Sequence, residues 1–107
     1  MKQSMKSRTT KAEKDSFTVI RGESVTDCGR SYRYELRMRE SPFVASYRLP
    51  LYSVSVHFTD EIGRSTEAEC ADVFADIGKA IVFFDKLVKG LVTPIDLPYV
   101  LEDEIGR

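Results

Sequence analysis

His57 is the residue best suited to chemistry, because it is the single histidine of the chain and histidine exchanges a proton near neutral pH. It alternates with Ser53 and Ser55, so all three would share one face of a strand. An acid from the following segment, Glu67 or Glu69, would complete a serine–histidine–acid arrangement. No nucleophile elbow accompanies these residues, and serines on a sheet face are seldom activated. We therefore interpret His57 as a surface histidine and predict neither a catalytic residue nor an enzyme.

A row of arginines offers a second chemistry, the binding of anions. Arg33, Arg37 and Arg39 share one face of another alternating segment. Such a row can bind phosphate or RNA, as nucleic-acid-binding sheets do. The aromatic residues that would stack on bases, Tyr32 and Tyr34, point to the opposite face. The three arginines are candidate contacts for an anion or a nucleic acid. Ion pairs with Glu67 and Glu69 are the simpler interpretation, and we favour it.

Metal and cofactor sites are not indicated by the sequence. Cys28 and Cys70 are the two cysteines, and they lie far apart without CxxC spacing. We predict two reduced thiols, with Cys70 in the core and Cys28 in a turn. The acidic run at residues 102–104 lacks the spacing of a calcium loop, and no glycine-rich phosphate loop occurs. The prediction is no metal and no cofactor.

Length and composition indicate one globular domain. The chain has 107 residues, of which 42% are hydrophobic and 31% charged. No apolar run is long enough to span a membrane, and the lysine-rich start lacks the apolar stretch of a signal peptide, so we expect a cytosolic protein. Residues 1–59 carry a net charge of +5 and residues 60–107 carry −6. This split is typical either of a polyanion-binding half or of two halves that face each other in the fold or in a dimer.

The elements that position these side chains centre on a helix over residues 76–90. Asp76 is a good N-cap, and Gly90 is free to adopt a positive φ at the end of the helix. Phe83 widens the apolar arc beyond what one sheet face needs, so a second neighbour should cover it, while Val82 points outward. The apolar stripe has the helical period and consists of Ile77, Ala80, Ile81, Phe84, Leu87 and Val88.

A second, shorter helix follows. Thr93 and Pro94 are typical of a helix start, although Pro98 favours a start near Leu97 or a kink there. The apolar stripe of this helix is Leu97, Val100, Leu101 and Ile105.

The strands are predicted from residue type and from alternation of apolar and polar residues. Residues 17–26 are predicted as a strand from their β-branched and aromatic content. Alternation with period two predicts strands over residues 32–39, 52–59 and 64–74, and a looser alternation predicts one over residues 43–49. Gly22 predicts a bulge or bend, and Gly29 a left-handed turn position. The short connections favour an antiparallel meander. We predict an α+β fold in residues 16–107, with four or five strands and two C-terminal helices packed on one face, preceded by a flexible basic tail at residues 1–15.

The C-terminal half also carries a resemblance. Thr93, Pro94, Ile95 and Leu97, followed by the Val-Leu-Glu-Asp stretch at residues 100–103, resemble a family of short bacterial proteins classed as a domain of unknown function. The resemblance covers about residues 52–105. It implies a fold but no chemistry, and it offers no site residue to transfer.

These observations favour a non-catalytic protein-interaction or regulatory module. It would bind an unknown protein partner, or a second copy of itself as a homodimer, through a sheet edge or through the helix surface at Val82 and Phe83. The alternative hypothesis is a nucleic-acid-binding protein that uses the basic tail and the strand face with Arg33, Arg37 and Arg39.

Overall fold

Four consecutive strands form one antiparallel sheet in the order β1-β2-β3-β4. The computed structural model describes residues 17–40 and 49–106; the predicted tail and nearly all of the looser predicted strand at residues 43–49 lie outside these ranges. The predicted meander is confirmed with four strands, and the fold class is α+β. The strands are β1 (Thr18–Asp27), β2 (Arg30–Glu40), β3 (Pro50–Thr59) and β4 (Ser65–Phe74).

Tight turns join β1 to β2 and β3 to β4. Cys28 and Gly29 form the two-residue loop between β1 and β2, with φ of 51° and 81°. A positive φ at both central residues is the geometry of a type I′ turn, whose twist matches the twist of the strands it joins. Gly29 therefore occupies the predicted left-handed position, and Cys28 occupies a second one. In the loop between β3 and β4, Gly63 has a φ of 91°.

The bulge of β1 lies at Ile20 and not at Gly22, so the predicted position is wrong. The pairing with β2 shifts between Val19 and Arg21, whereas Gly22 lies regularly opposite Glu35. Gly22 has a different role. A Cβ atom there would lie 2.4 Å from Nη2 of Arg33, so the missing side chain leaves room for that guanidinium to lie across the strand.

Two helices cover one face of the sheet. They are α1 (Ile77–Lys89) and α2 (Leu97–Ile105). As predicted, Asp76 caps α1, its carboxylate accepting a hydrogen bond from the Gly78 N–H at 3.3 Å. Helix α2 begins at Leu97, so Pro98 falls in the first turn, where its missing N–H leaves no intrahelical bond unmade.

The left-handed residue that ends α1 is Leu91 and not the glycine before it. Gly90 has a helical φ of −87°, and Leu91 has a φ of 48°. The Val92 N–H donates to the Leu87 carbonyl and the Leu91 N–H to the Val88 carbonyl, the hydrogen-bond pair of a Schellman motif. This bonding satisfies two orphan carbonyls of the helix and turns the chain back toward the sheet.

The core lies between the helices and the apolar face of the sheet. Ile77 and Ile105, predicted on the apolar stripes, are instead exposed at 42% and 60%. Each lies at an outer end of its helix, beyond the main contact with the sheet. The buried apolar residues are Tyr32, Tyr34, Leu36, Tyr52, Val54, Val56, Phe74, Ala80, Phe83, Phe84, Leu87 and Leu97.

Tyr34 ties the sheet to the connection between the helices. Its ring is buried, and its hydroxyl donates a hydrogen bond of 2.9 Å to the Val92 carbonyl. Burial, and to a lesser degree the charge of ionised Tyr32, raises the pKa of Tyr34 well above its ordinary value. The neutral phenol is therefore the form that the fold requires.

Replacing Tyr34 by phenylalanine is expected to lower the free energy of unfolding by about 1–2 kcal/mol, because the Val92 carbonyl loses its donor. The folded-state pKa is raised, so the contribution of the tyrosine is fully present below about pH 10 and is lost as the pH rises above it. The difference between wild type and variant should therefore shrink in alkaline solution. Urea denaturation at neutral and alkaline pH measures it. Tyr99→Phe is the control, since Tyr99 is 68% exposed; an equal loss in both variants would contradict the role of the buried hydroxyl.

Candidate functional site

The face of the sheet opposite the helices is lined by charged and hydroxyl side chains, and no helix of the described ranges covers it. We name this surface the charged face. Alternation along each strand places its members there, and pairing across β2, β3 and β4 sets them side by side. The members are Ser24, Arg33, Glu35, Arg37, Arg39, Ser53, Ser55, His57, Glu67, Glu69 and Asp72.

Arg33 and Arg37 form ion pairs with glutamates of this face. Arg37 contacts Glu35 at 2.9 Å and Glu69 at 3.4 Å. Arg33 contacts Glu35 at 3.4 Å and donates a hydrogen bond of 3.1 Å to the Ser24 hydroxyl. The predicted cross-strand pairing with Glu69 is therefore confirmed. Partly exposed pairs of this kind contribute about 0–1 kcal/mol each to stability, so their main effect is to neutralise the arginines locally.

The third arginine holds an irregular part of β4. Asp72 lies in a bulge opposite the buried Ser53 and has a φ of 55°, a left-handed value that costs energy for a residue with a side chain. Its carboxylate accepts two hydrogen bonds from Arg39, at 3.0 and 2.6 Å. Its N–H donates to the Ser53 hydroxyl at 2.8 Å. These bonds offset the backbone strain and fix the bulge.

Asp72 was missed in the sequence analysis. The bulge moves it onto the charged face, whereas strict alternation with Cys70 would point it to the helices. An aspartate inside a strand is the signal that could have shown the break in register, because aspartate is depleted in strands and tolerates the left-handed region.

His57 of β3 lies on the charged face. It is paired with Arg33 of β2 on one side and with Glu67 of β4 on the other. It is exposed, as predicted. The described part of the chain shows no hydrogen bond between His57 and a serine. The surrounding groove is open, with a volume of about 300 Å³, and the ion-paired Arg33, Arg37 and Glu69 are among the side chains that line it. The polar side chains around His57 can therefore contact a molecule that binds to the charged face.

The two cysteines are free and lie apart. Cys70 packs at the margin of the core, as predicted, and burial together with the charge of Glu69 raises the pKa of its thiol. Cys28 is exposed in the turn between β1 and β2. Within residues 17–40 and 49–106, no three histidine, cysteine or acidic side chains are grouped to hold a metal ion. The acidic run of α2 includes Glu104, which pairs with Lys86 of α1.

The predicted interface residues of α1 have different environments. Phe83 is fully buried, with its ring centroid 5.3 Å from that of Phe74, so it offers no surface to a partner. Leu97 of α2 is buried in the same core. Val82 is 54% exposed and points outward as predicted.

The most exposed element is β1. Only Ile20 and Val25 of its ten residues are half-buried, and the helices contact mainly the other three strands. Phe17 and Val19, at its start, are 50% and 46% exposed, and the Phe17 ring lies 4.6 Å beneath the Arg37 guanidinium. As the first strand of the sheet, β1 has no strand on its outer side in the part of the chain that the structure describes.

The outward backbone groups of β1 follow from the turn that ends it. Asp27 and Arg30 flank a two-residue turn and are therefore hydrogen-bonded to each other. Hydrogen-bonded and non-bonded pairs alternate along an antiparallel ladder. Asp27, Val25, Glu23 and Arg21 thus direct their backbone groups to β2, whereas Gly22, Ser24 and Thr26 direct theirs outward. We name these outward groups the β1 edge.

Comparison with known proteins places the chain in a family. Neither helix of the described ranges is long and apolar enough to cross a membrane. No curated protein and no solved structure matches the chain. A family model does match, over residues 13–107, which is a longer stretch than the resemblance seen in the sequence. The chain therefore belongs to DUF6514, a family of unknown function.

Proposed function

We propose that the protein is a non-catalytic interaction module that binds an extended segment of a protein partner at the β1 edge. The observation that carries this proposal is the exposure of β1, a ten-residue strand that the helices leave uncovered. An extended segment that adds to such a strand gains main-chain hydrogen bonds along its length. The outward groups of Gly22, Ser24 and Thr26 are placed to make them.

The surroundings of β1 add side-chain contacts to this mode of binding. Val19 and Phe17 expose apolar surface beside the strand, and the alternate side chains of an added strand would pack on it. The charged face lies next to this apolar surface. Strand addition therefore combines backbone pairing, which gives affinity, with contacts to side chains, which give specificity.

The charged face favours this reading over nucleic-acid binding. Arg33, Arg37 and Arg39 each contact a carboxylate of the same face. A phosphate would have to displace those carboxylates, and the acidic side chains would repel it. Nucleic-acid affinity depends on available cations and counterion release, and these arginines are already neutralised.

The test is capture of partners from native cell extract by wild-type protein and by Ser24→Pro. Proline removes the outward N–H of Ser24 but no hydrogen bond to β2, so the fold is retained while strand addition is blocked. Ser24→Ala is the matched control, because both variants lose the hydroxyl contact with Arg33. We expect mass spectrometry to find a protein bound to wild type and Ser24→Ala and absent from Ser24→Pro. Binding that is unchanged in Ser24→Pro, or lost equally in both variants, would refute the proposal.

A further inference from the structure

We propose that the partner at the β1 edge is a second copy of this chain, paired antiparallel about a twofold axis at Gly22. The two sheets would then form one continuous sheet of eight strands. This inference rests on the proposed function and names its partner.

The backbone limits how two copies can meet. Two antiparallel strands pair when the outward groups of one meet the outward groups of the other. In β1, residues whose backbone groups point outward alternate with residues bonded to β2. A twofold axis must therefore pass through the position of one residue, which then faces its own copy, and not between two consecutive residues. Near the middle of the strand, the available axes pass through Arg21, Gly22, Glu23 or Ser24.

Charge selects among these registers. An axis through Arg21 places this arginine against its own copy, and an axis through Glu23 does the same with the glutamate. Like charges directly opposite are destabilising, whereas opposite charges contribute favourably. An axis through Gly22 sets Arg21 of each copy opposite Glu23 of the other, and symmetry makes the contact twice. An axis through Ser24 leaves Glu23 opposite an apolar valine. The register at Gly22 is therefore the favoured one.

The contact would lie on the helix side of the sheet, where Asp85 already approaches Arg21. The distance between Nη1 of Arg21 and Oδ1 of Asp85 is 3.5 Å, and both side chains are about half exposed. Glu23 forms no ion pair within the described ranges, so it has carboxylate oxygens to offer. In the paired copies each arginine would lie between Asp85 of its own chain and Glu23 of the second copy. The carboxylates would then hold the guanidinium in a fixed position.

The other side of the axis carries a cost. The Arg33 guanidinium lies over Gly22, and the two Arg33 side chains would approach each other across the axis. Each is accompanied by Glu35 at 3.4 Å, which reduces the repulsion. The bulge at Ile20 also interrupts pairing at one end of the strand. Small interfaces of this kind are weak, so we expect the dimer to form only in concentrated solution.

The charges of Arg21 and Glu23 also explain why unrelated apolar strands do not pair with β1. Charged residues and bulges on an edge strand oppose pairing with an unrelated apolar strand. Arg21 and Glu23 have this effect on most sequences, but they complement each other in an antiparallel copy. Specificity then arises from the same residues that prevent aggregation.

Sedimentation equilibrium over a wide concentration range tests the proposal with two charge reversals. Arg21→Glu and Glu23→Arg each place like charges opposite one another twice, so each should weaken self-association by about tenfold or more. An equal mixture of the two variants should recover dimers, because every contact is again between opposite charges. A folding defect cannot produce this recovery. Circular dichroism of each variant confirms the fold.

A wild type that stays monomeric at all concentrations would overturn the inference. Single variants that associate as strongly as wild type, or a mixture that does not recover dimers, would also overturn it. The proposed function is tested separately, by the loss of a captured protein in Ser24→Pro. If that loss is seen with a protein other than this chain while the charge mixture gives monomers, the module binds at the β1 edge but its partner is not itself.

Discussion

Replacing Phe83 by alanine is expected to lower the free energy of unfolding by about 3–5 kcal/mol. The side chain is fully buried, and its ring packs at an angle of 47° against that of Phe74. Truncation removes the buried apolar surface and leaves a cavity that the helices and the sheet cannot close without moving. For a domain of this size such a loss is a large part of the total stability. Denaturation in urea, followed by circular dichroism, gives the measurement.

Val82→Ala is the matched control for this prediction. Val82 is the preceding residue of the same helix and is 54% exposed, so the change in unfolding free energy should stay within about 0.5 kcal/mol. The two variants compare the truncation of a buried residue with that of an exposed residue at adjacent positions of α1. If Val82→Ala proved the more damaging of the two, the orientation of α1 on the sheet would be wrong.

Replacing Asp72 by alanine is expected to lower the free energy of unfolding by about 2–3 kcal/mol. One part is the bidentate, charge-assisted hydrogen bonds to Arg39, worth about 1.5 kcal/mol at this partly exposed position. The other part is the left-handed backbone at a φ of 55°, which costs about 1 kcal/mol more for alanine than for aspartate, whose side chain bonds locally. The bulge would then lose its main side-chain support.

Asp72→Asn and Asp72→Gly separate the two contributions. Asparagine tolerates the left-handed region but lacks the charge, so it should lose only the ion-pair part. Glycine removes the backbone strain and the side chain together, and should also fall between wild type and alanine. Thermal and urea denaturation of the three variants measure the order. Three equal losses would mean that the backbone conformation contributes nothing, and no loss at all would remove the role assigned to Arg39.

The alternation in β2 shows what could be predicted without coordinates. Tyr32, Tyr34 and Leu36 alternate with charged residues, and all three are buried against the helices. The capped start of α1 at Asp76 was predicted in the same way. These features depend on residues that are close together along the chain. Such residues repeat with a period of two in a strand or 3.6 in a helix, so the sequence indicates them directly.

The candidate surfaces could be predicted only in part. The row of arginines was visible in the sequence, but the pairing of Arg39 with the bulged Asp72 of β4 depends on the order of the strands and on where their register shifts. The exposure of β1 was not predicted either. Whether helices reach a strand is decided by their length and placement.

The order and type of the elements, the meander, and the faces that β2 and β3 turn to the core could be predicted from local patterns alone. Packing and register determine that Leu91 and not Gly90 ends α1 in the left-handed region, and that β1 has no strand on its outer side within residues 17–40 and 49–106. The physical reason is the range of the interactions. Local patterns report the contacts a residue makes along its own helix or strand, whereas burial and register depend on residues brought together from distant parts of the chain, and no period in the sequence records those contacts.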